Sequence, residues 1–357
     1  MKNIFSSDSE IKIIGVRHGE KEIGGAKVYT VKPVDPEPTH LLLRGNASSP
    51  GPVVPPGGWQ VIQAIPVSFG LKADASDADR RRRLSDWITN RSNPLFARVM
   101  VNRLWHYHFG TGIVDTPNDF GFSGGRPTHP ELLDWLASEF IRHQWSLKAV
   151  HRLIVTSSTY RQSSIRNKTG MQKDGDNRYL WRFPLRRLDA ETLRDTLLTV
   201  AGQLDREVGG EGYRDVRSYF FKGTQFYDPL TPSDQPGHRR TLYRFSPRGG
   251  RNPFLDTFDC PDPSTMSPVR GETTTPLQAL ALMNNELVFL MADHWASLIK
   301  VNVGSDIRLQ VEQAFKTAYG RDPDAEESSD AMGFVESLEL AAFCRVIFNS
   351  NEFLMIP

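Results

Sequence analysis

The chain has 357 residues, 39% hydrophobic and 24% charged, which is the balance of a soluble globular protein long enough for one large domain or two modest ones. A formal net charge of +1 supplies no general attraction to nucleic acid, an anionic membrane or an acidic partner, so no nucleic-acid role is expected. Two cysteines, Cys260 and Cys344, are too few for a disulfide framework, and without a CxxC pair or a CxxCH site neither thiolate zinc nor covalent haem is expected.

No apolar run reaches membrane-spanning length. Nor does Met1 to Arg17 read as a signal peptide, because IKIIGV is too short and acidic residues precede it; by itself the chain is expected to stay in the cytoplasm. Residues 1–72 form a compositional block with prolines at 33, 36, 38, 50, 52, 55, 56 and 66. AKVYTV and THLLLRG read as short strands, while PVDPEP and SSPGPVVPPGGW read as extended loops, since proline fixes its own φ and turns the preceding residue away from helix. The block predicts a strap docked on the helical domain of residues 73–357; a peptide-binding role for the proline run is the alternative.

DASDADRRRR precedes an apolar-spaced LSDWI, and Arg80 to Arg83 are expected to be a solvated helical face rather than a phosphate site, there being no interleaved aromatics. NPLFARVMVNRLWHYHFG predicts a largely buried central helix, capped by Asn93, opened by Pro94 and stopped by Gly110. Its apolar positions include Leu95, Val99 and Trp105, and Asn102 shares their face. TPNDFGFSGGRP is a glycine-rich loop of the kind that carries function. Thr128 and Glu131 predict a capping box around Pro130, with Leu132, Leu133, Trp135, Leu136 and Phe140 facing the central helix. Ser146 is expected to cap the next helix, Arg161 to Asn177 to be a loop, and Asp189 to cap a helix ending at Gly209 and Gly210. Residues 211–271 read as irregular, with TLYRF the strand candidate. TTTPLQALALMNNELVFLMADHWASLIK predicts one long helix opened by Thr275, Pro276 and Gln278; Ser305 and Gly320 bound another, and a last one runs through LELAAFCRVIFNS.

RVMVNRLWHYHFGTGIVDTPNDFG, THPELLDWLA, HRLIVTSSTYRQSS, RRLDAETLRD, FDCPDPS, TTTPLQALALMNNELV and FCRVIFNSNEF occur in this order, and together they resemble the planctomycete cytochrome-associated C-terminal domain, a domain of unknown function (1553). The resemblance runs from about residue 80 to the end. It implies a module found at the C-terminal end of large exported proteins, behind a partner domain and often a c-type cytochrome module, in a context of polysaccharide and sulfated-glycan systems. It therefore implies an extracytoplasmic, periplasmic setting for a chain that is part of such a protein, and it assigns no reaction.

Candidate chemistry gathers at the central helix and the loop after it. Asn102, Arg103, His106, His108, Asp119 and His129 form the candidate binding cluster. His106 and His108 point about 200° apart on a regular helix and cannot share an ion unless the helix ends between them; Asp115, Asp119 and His129 then offer further nitrogen and oxygen donors. The competing reading gives these groups internal hydrogen bonds and no metal. Asp189 and Glu191 resemble an acid–base pair but suit a cap and a first turn. Asp256, Asp259 and Asp262 lack the pattern of a calcium loop. Arg248, Arg251 and Arg270 with Tyr243 and Phe245 either face an anion or carbohydrate or pair with carboxylates. No GxSxG, HExxH, P-loop or dinucleotide fingerprint occurs. The sequence thus predicts a mainly α, multi-helix domain with a proline-rich N-terminal strap and minor β structure. It is expected to act as a non-catalytic interaction or ligand-binding module, for which the resemblance implies an upstream domain, a c-type cytochrome module or a glycan as partner; the alternative is a metal-dependent or acid–base glycan hydrolase using His106, His108, Asp119 and His129.

Overall fold

The computed structural model describes residues 16–23 and 26–33 in backbone, and residues 37–232 and 238–356 with side chains. IKIIGV, apart from its last residue, lies outside the described residues, as does the middle of PVDPEP. The chain divides into two compact units, Met1–Thr156 and Ser157–Pro357, and the compositional change at residue 72 lies inside the first. The fold is mainly α: among the described residues there are thirteen α-helices, and the strands form only two-stranded pairs.

In the first unit β1 (Val16–Ile23) and β2 (Ala26–Pro33) form an antiparallel hairpin, Val16 opposite Pro33 and Ile23 opposite Ala26. AKVYTV is therefore a strand as expected, whereas its charged partner VRHGEKEI carries no alternating pattern to announce it. THLLLRG begins as β3 (His40–Leu42) and tightens into a 3₁₀ turn at Leu43–Gly45. β3 pairs with β4 (Pro50–Val53), a segment expected to be a loop. The prolines that follow lead to an aromatic dock: Trp59 stands edge-on to Trp87 of α1 (Asp77–Ile88), and the Trp87 indole donates to Pro66 O at 3.1 Å. Ser76 caps α1, and Arg81 and Arg82 lie exposed beside Asp77 and Asp79, a solvated face.

The central helix α2 (Phe96–Phe109) starts later than predicted. Asn93 does not cap it; its Oδ1 accepts from Leu95 N–H and its amide donates to Trp87 O, which locks the turn before the helix. Gly110 ends α2 in the left-handed region at φ 80°, as expected. α2 buries Ala97, Val101, Asn102, Leu104, Trp105 and Phe109 against α3 (Pro130–Arg142) and α4 (Leu147–Val155). The predicted capping box of α3 is not formed: His129 rather than Thr128 holds the cap position and makes no side-chain cap hydrogen bond, while the Thr128 hydroxyl donates to Ile113 O at 3.4 Å. Trp135, placed in the apolar face by spacing, is half exposed, and Ala137 takes its place in the core. Ser146 caps α4 as expected.

The second unit holds the larger hydrophobic cluster. Asn167 caps a short helix, α5 (Lys168–Lys173), where a loop was expected. β5 (Arg186–Arg187) leads to α6 (Ala190–Val200), capped by Asp189 through Thr192 N–H. α6 stops at Gly202, φ 69°, well before the expected pair of glycines. β6 (Val216–Phe221) and β7 (Thr224–Pro229) form a hairpin, and TLYRF begins as a 3₁₀ turn rather than a strand. α7 (Pro253–Thr257) follows.

The long predicted helix is in fact α8 (Pro276–Asn284) and α9 (Glu286–Val303). Asn285, extended at ψ 135°, breaks the run and caps α9 through Leu287 N–H, while the capping box of Thr275 and Gln278 opens α8 as predicted. α9 is the axis of this unit: Met291, Trp295 and Ile299 are fully buried, and Trp295 stacks on Phe348. Such side chains contribute about 1.5–3 kcal/mol each on burial. α10 (Ile307–Tyr319) is capped by Asp306 rather than Ser305, and α11 (Ala325–Leu338), opened by the reciprocal Asp324–Glu327 box, was not anticipated. α12 (Leu340–Phe348), α13 (Asn351–Leu354) and β8 (Met355–Ile356) close the unit, β8 pairing antiparallel with β5.

Candidate functional site

Within the cluster expected on α2 and the following loop, Asn102 is a structural brace. Asn102, wholly buried, donates from Nδ2 to Val114 O at 2.9 Å and accepts from Val114 N–H at 2.8 Å, so its amide substitutes for a missing strand partner. Gly112 is small for this reason: a Cβ there would lie 2.5 Å from Val114 O and 2.7 Å from the Asn102 amide. Arg103 is exposed and donates to Asn118 Oδ1 at 2.7 Å. His108 Nε2 meets His151 Nδ1 of α4 at 2.8 Å, a partner the spacing did not foretell. The His106 ring stands edge-on to Tyr107. Asp119 is exposed and accepts from Gly121 N–H, and His129 Nδ1 bonds the Thr128 hydroxyl.

The glycine-rich loop is itself rigidly built. Thr116 Oγ1 donates to Asp119 O and accepts from Gly125 N–H, both at 2.8 Å, and Cβ atoms on Gly124 and Gly125 would fall 2.1 Å from Asp119 O and 1.8 Å from Asp115 Oδ1. At its crest Phe122 is fully exposed. Among the described residues no group of three or more His, Cys, Asp and Glu side chains is placed to hold a metal ion.

In the second unit several of the remaining sequence candidates are engaged internally. Asp189 is a cap, and Glu191 receives both ends of the Arg270 guanidinium at 2.6 and 2.7 Å. Burial pushes the Glu191 carboxyl up, yet the hydrogen bonds and charge of Arg270, with a backbone N–H and the Cys260 thiol, together outweigh it, and its pKa lies below the ordinary value of 4.5. Burial, with Glu191 beside it, pushes the Cys260 thiol up to about 11, so it stays protonated and non-nucleophilic near neutrality. Burial raises Cys344 as well. Arg251 bridges Asp256 and Asp262, while Asp259 receives Thr273 N–H and hydroxyl. These three aspartates thus serve internal ties.

A second network was not legible beforehand. Asp215 and Arg244 form a buried ion pair at 2.6 Å, extended by Asn252 Nδ2 to Asp215 Oδ2. Asp195 accepts from the Thr241 N–H and hydroxyl, and Arg194 of α6 donates to Arg239 O and Thr241 Oγ1. Burial, then the Arg194 charge, lowers the pKa of His238 below 6.5.

The least internal use is made of the β6–β7 hairpin. Lys222 and Gly223, at φ 48° and 80°, make the two-residue turn that matches the twist of the strands. Cross-strand pairing puts Tyr219 against Phe226, stacked at 5.7 Å, with Phe221 next to them. Phe221, on the face of that pair, is 56% exposed, and Phe220, on the opposite face, is 74% exposed. Two hydrophobic runs around Lys-Gly are the sequence signal that could have found this hairpin. α8, α9, α11 and α12 also line an apolar groove of about 600 Å³, including Met283, Phe289, Leu338 and Val346.

Residues 80–335 match the family described as "PSD1: Protein of unknown function (DUF1553)". No curated protein and no solved structure matches the chain. No helix among the described residues is long and apolar enough to cross a membrane.

Proposed function

The chain belongs to the PSD1 family of proteins of unknown function (DUF1553), and from that premise we propose that it is a non-catalytic interaction module that docks through its β6–β7 hairpin. The observation that carries this reading is the exposure of Phe220 and Phe221 at the tip of a regular two-stranded element, beside a stacked Tyr219–Phe226 pair. Exposed aromatics gathered at the tip of an ordered ribbon are what a protein–protein contact buries. The proposed partner is a protein, in the architecture the resemblance implies an upstream module or c-type cytochrome module of an exported, extracytoplasmic assembly. A glycan hydrolase using His106, His108, Asp119 and His129 draws less support, since His108 is engaged by His151 and the carboxylate of Asp119 by Gly121.

The test is replacement of both Phe220 and Phe221 by serine, followed by native size separation of extracts from cells that make the chain. The wild type is expected in a larger complex and the variant at the position of the isolated chain, since loss of two buried phenylalanines weakens association by roughly a hundredfold. Migration unchanged by the substitution, or glycan hydrolysis by the purified chain, would overturn the proposal.

A further inference from the structure

The register of the β6–β7 hairpin fixes which of its backbone groups are left for another chain. One step beyond the base of the ladder, Leu230 N–H donates to Asp215 O at 2.8 Å. Bonded and non-bonded pairs alternate along an antiparallel ribbon, so Arg217 with Asp228, Tyr219 with Phe226 and Phe221 with Thr224 are the bonded pairs. Ser218 and Phe220 of β6, like Gln225 and Tyr227 of β7, therefore turn their N–H and C=O groups away from the ribbon. Pro229 agrees with this phase: it stands opposite Val216 at an outward position, where a missing N–H costs the ladder nothing.

The two edges are not equivalent. Pro229 blunts the β7 edge, whereas β6 (Val216–Phe221) contains no proline, and among the described residues no third strand pairs with it. A two-stranded ribbon is marginal in water and gains stability from a third strand. The charge along the open edge selects the newcomer. Arg217 lies near one end of β6 and Lys222 follows the other, with four uncharged residues between them and no acid in this stretch. Two copies of β6 laid together would add like charge to like charge, while a segment with carboxylates flanking apolar residues meets both cations. We propose that the hairpin binds its partner by strand addition: an extended segment of another protein, acidic at its ends and apolar between, pairs along β6 through the outward N–H and C=O groups of Ser218 and Phe220. The proposal rests on the hairpin reading and goes further in naming the edge, the backbone groups and the form of the partner.

A fluorescent six-residue peptide, glutamate-valine-threonine-valine-threonine-glutamate, tests it by anisotropy against the purified full chain. Saturable binding is expected, and a counterpart with lysine at both ends should bind roughly tenfold more weakly or worse. Ser218→Pro removes an outward donor yet spares the ladder, and should weaken binding by roughly tenfold or more, whereas Ser218→Ala and Gln225→Pro, the latter on the other edge, should bind as wild type does. Where Ser218→Pro fails to fold, two peptides methylated on alternate backbone nitrogens decide with the wild-type chain: one set should abolish binding and the other preserve it. No binding of the acidic peptide, equal effects of the two proline variants or of the two methylated peptides, or a wild-type dimer that Ser218→Pro dissociates would overturn strand addition by a foreign segment. The hairpin reading would stand after any of these provided that replacing Phe220 and Phe221 by serine still releases the chain from its larger complex.

Discussion

Replacing Asn102 by alanine removes both hydrogen bonds to Val114 at once and leaves a buried N–H and a buried C=O without partners. Each unmet backbone group costs about 1–3 kcal/mol, and partial rehydration through the space vacated offsets some of this, so the expected loss is about 3 kcal/mol. Held locally, that energy accelerates amide exchange at Val114 by roughly two orders of magnitude, measurable by hydrogen exchange with mass or NMR detection. Asn102→Asp sharpens the test. Its ionised carboxylate still accepts from Val114 N–H but sets a second oxygen against Val114 O, so the variant should be less stable than Asn102→Ala at neutral pH and recover in acid, where the protonated group donates again. An Asn102→Ala variant within about 0.5 kcal/mol of wild type, with Val114 exchange unchanged, would refute the brace and return Asn102 to the list of groups free to bind a ligand.

Gly124→Ala drives a Cβ to 2.1 Å from the backbone oxygen of Asp119 and should cost about 2–3 kcal/mol in denaturant titrations, whereas Gly333→Ala, exposed within α11 with nothing in reach, should stabilise by about 1 kcal/mol. Because Glu191 has a folded pKa below 4.5, the unfolded chain binds more protons there; its contribution is fully present above 4.5 and lost as pH falls through the lower folded value. Glu191→Gln should therefore flatten the acid limb of the stability profile, and a limb as steep as wild type would contradict the Arg270 pairing.

What could be read without coordinates was governed by local chemistry. Gly110 and Gly320 end helices because a left-handed residue is needed at each position, and the Thr275–Gln278 and Asp189 caps are written within four residues. The errors arose where a competing partner lay outside the helix being read. Thr128 abandons its capping box for Ile113 O, and Asn93 gives its amide to Trp87 O. Asn285 was hidden inside an apolar run that looks continuous, although a side chain able to cap its own successor can split a helix. The candidate site shows the same limit. Spacing placed His106 and His108 on opposite sides of α2, yet only the packing of α4 brings His151 to His108. Spacing likewise set Asn102 among the apolar positions of its helix without revealing that a loop twelve residues on is its partner. Arg194 gave no local signal, since its hydrogen-bond partners lie 45 and 47 positions away.

The central claim, that the chain works by docking its aromatic hairpin on another protein, is tested most directly by photo-crosslinking in cells that make it. A benzoylphenylalanine at position 220 is expected to yield one dominant crosslinked protein, while the same probe at the equally exposed position 208, outside the hairpin, yields none. Equal crosslinking from both positions, or no adduct from position 220, would contradict the account.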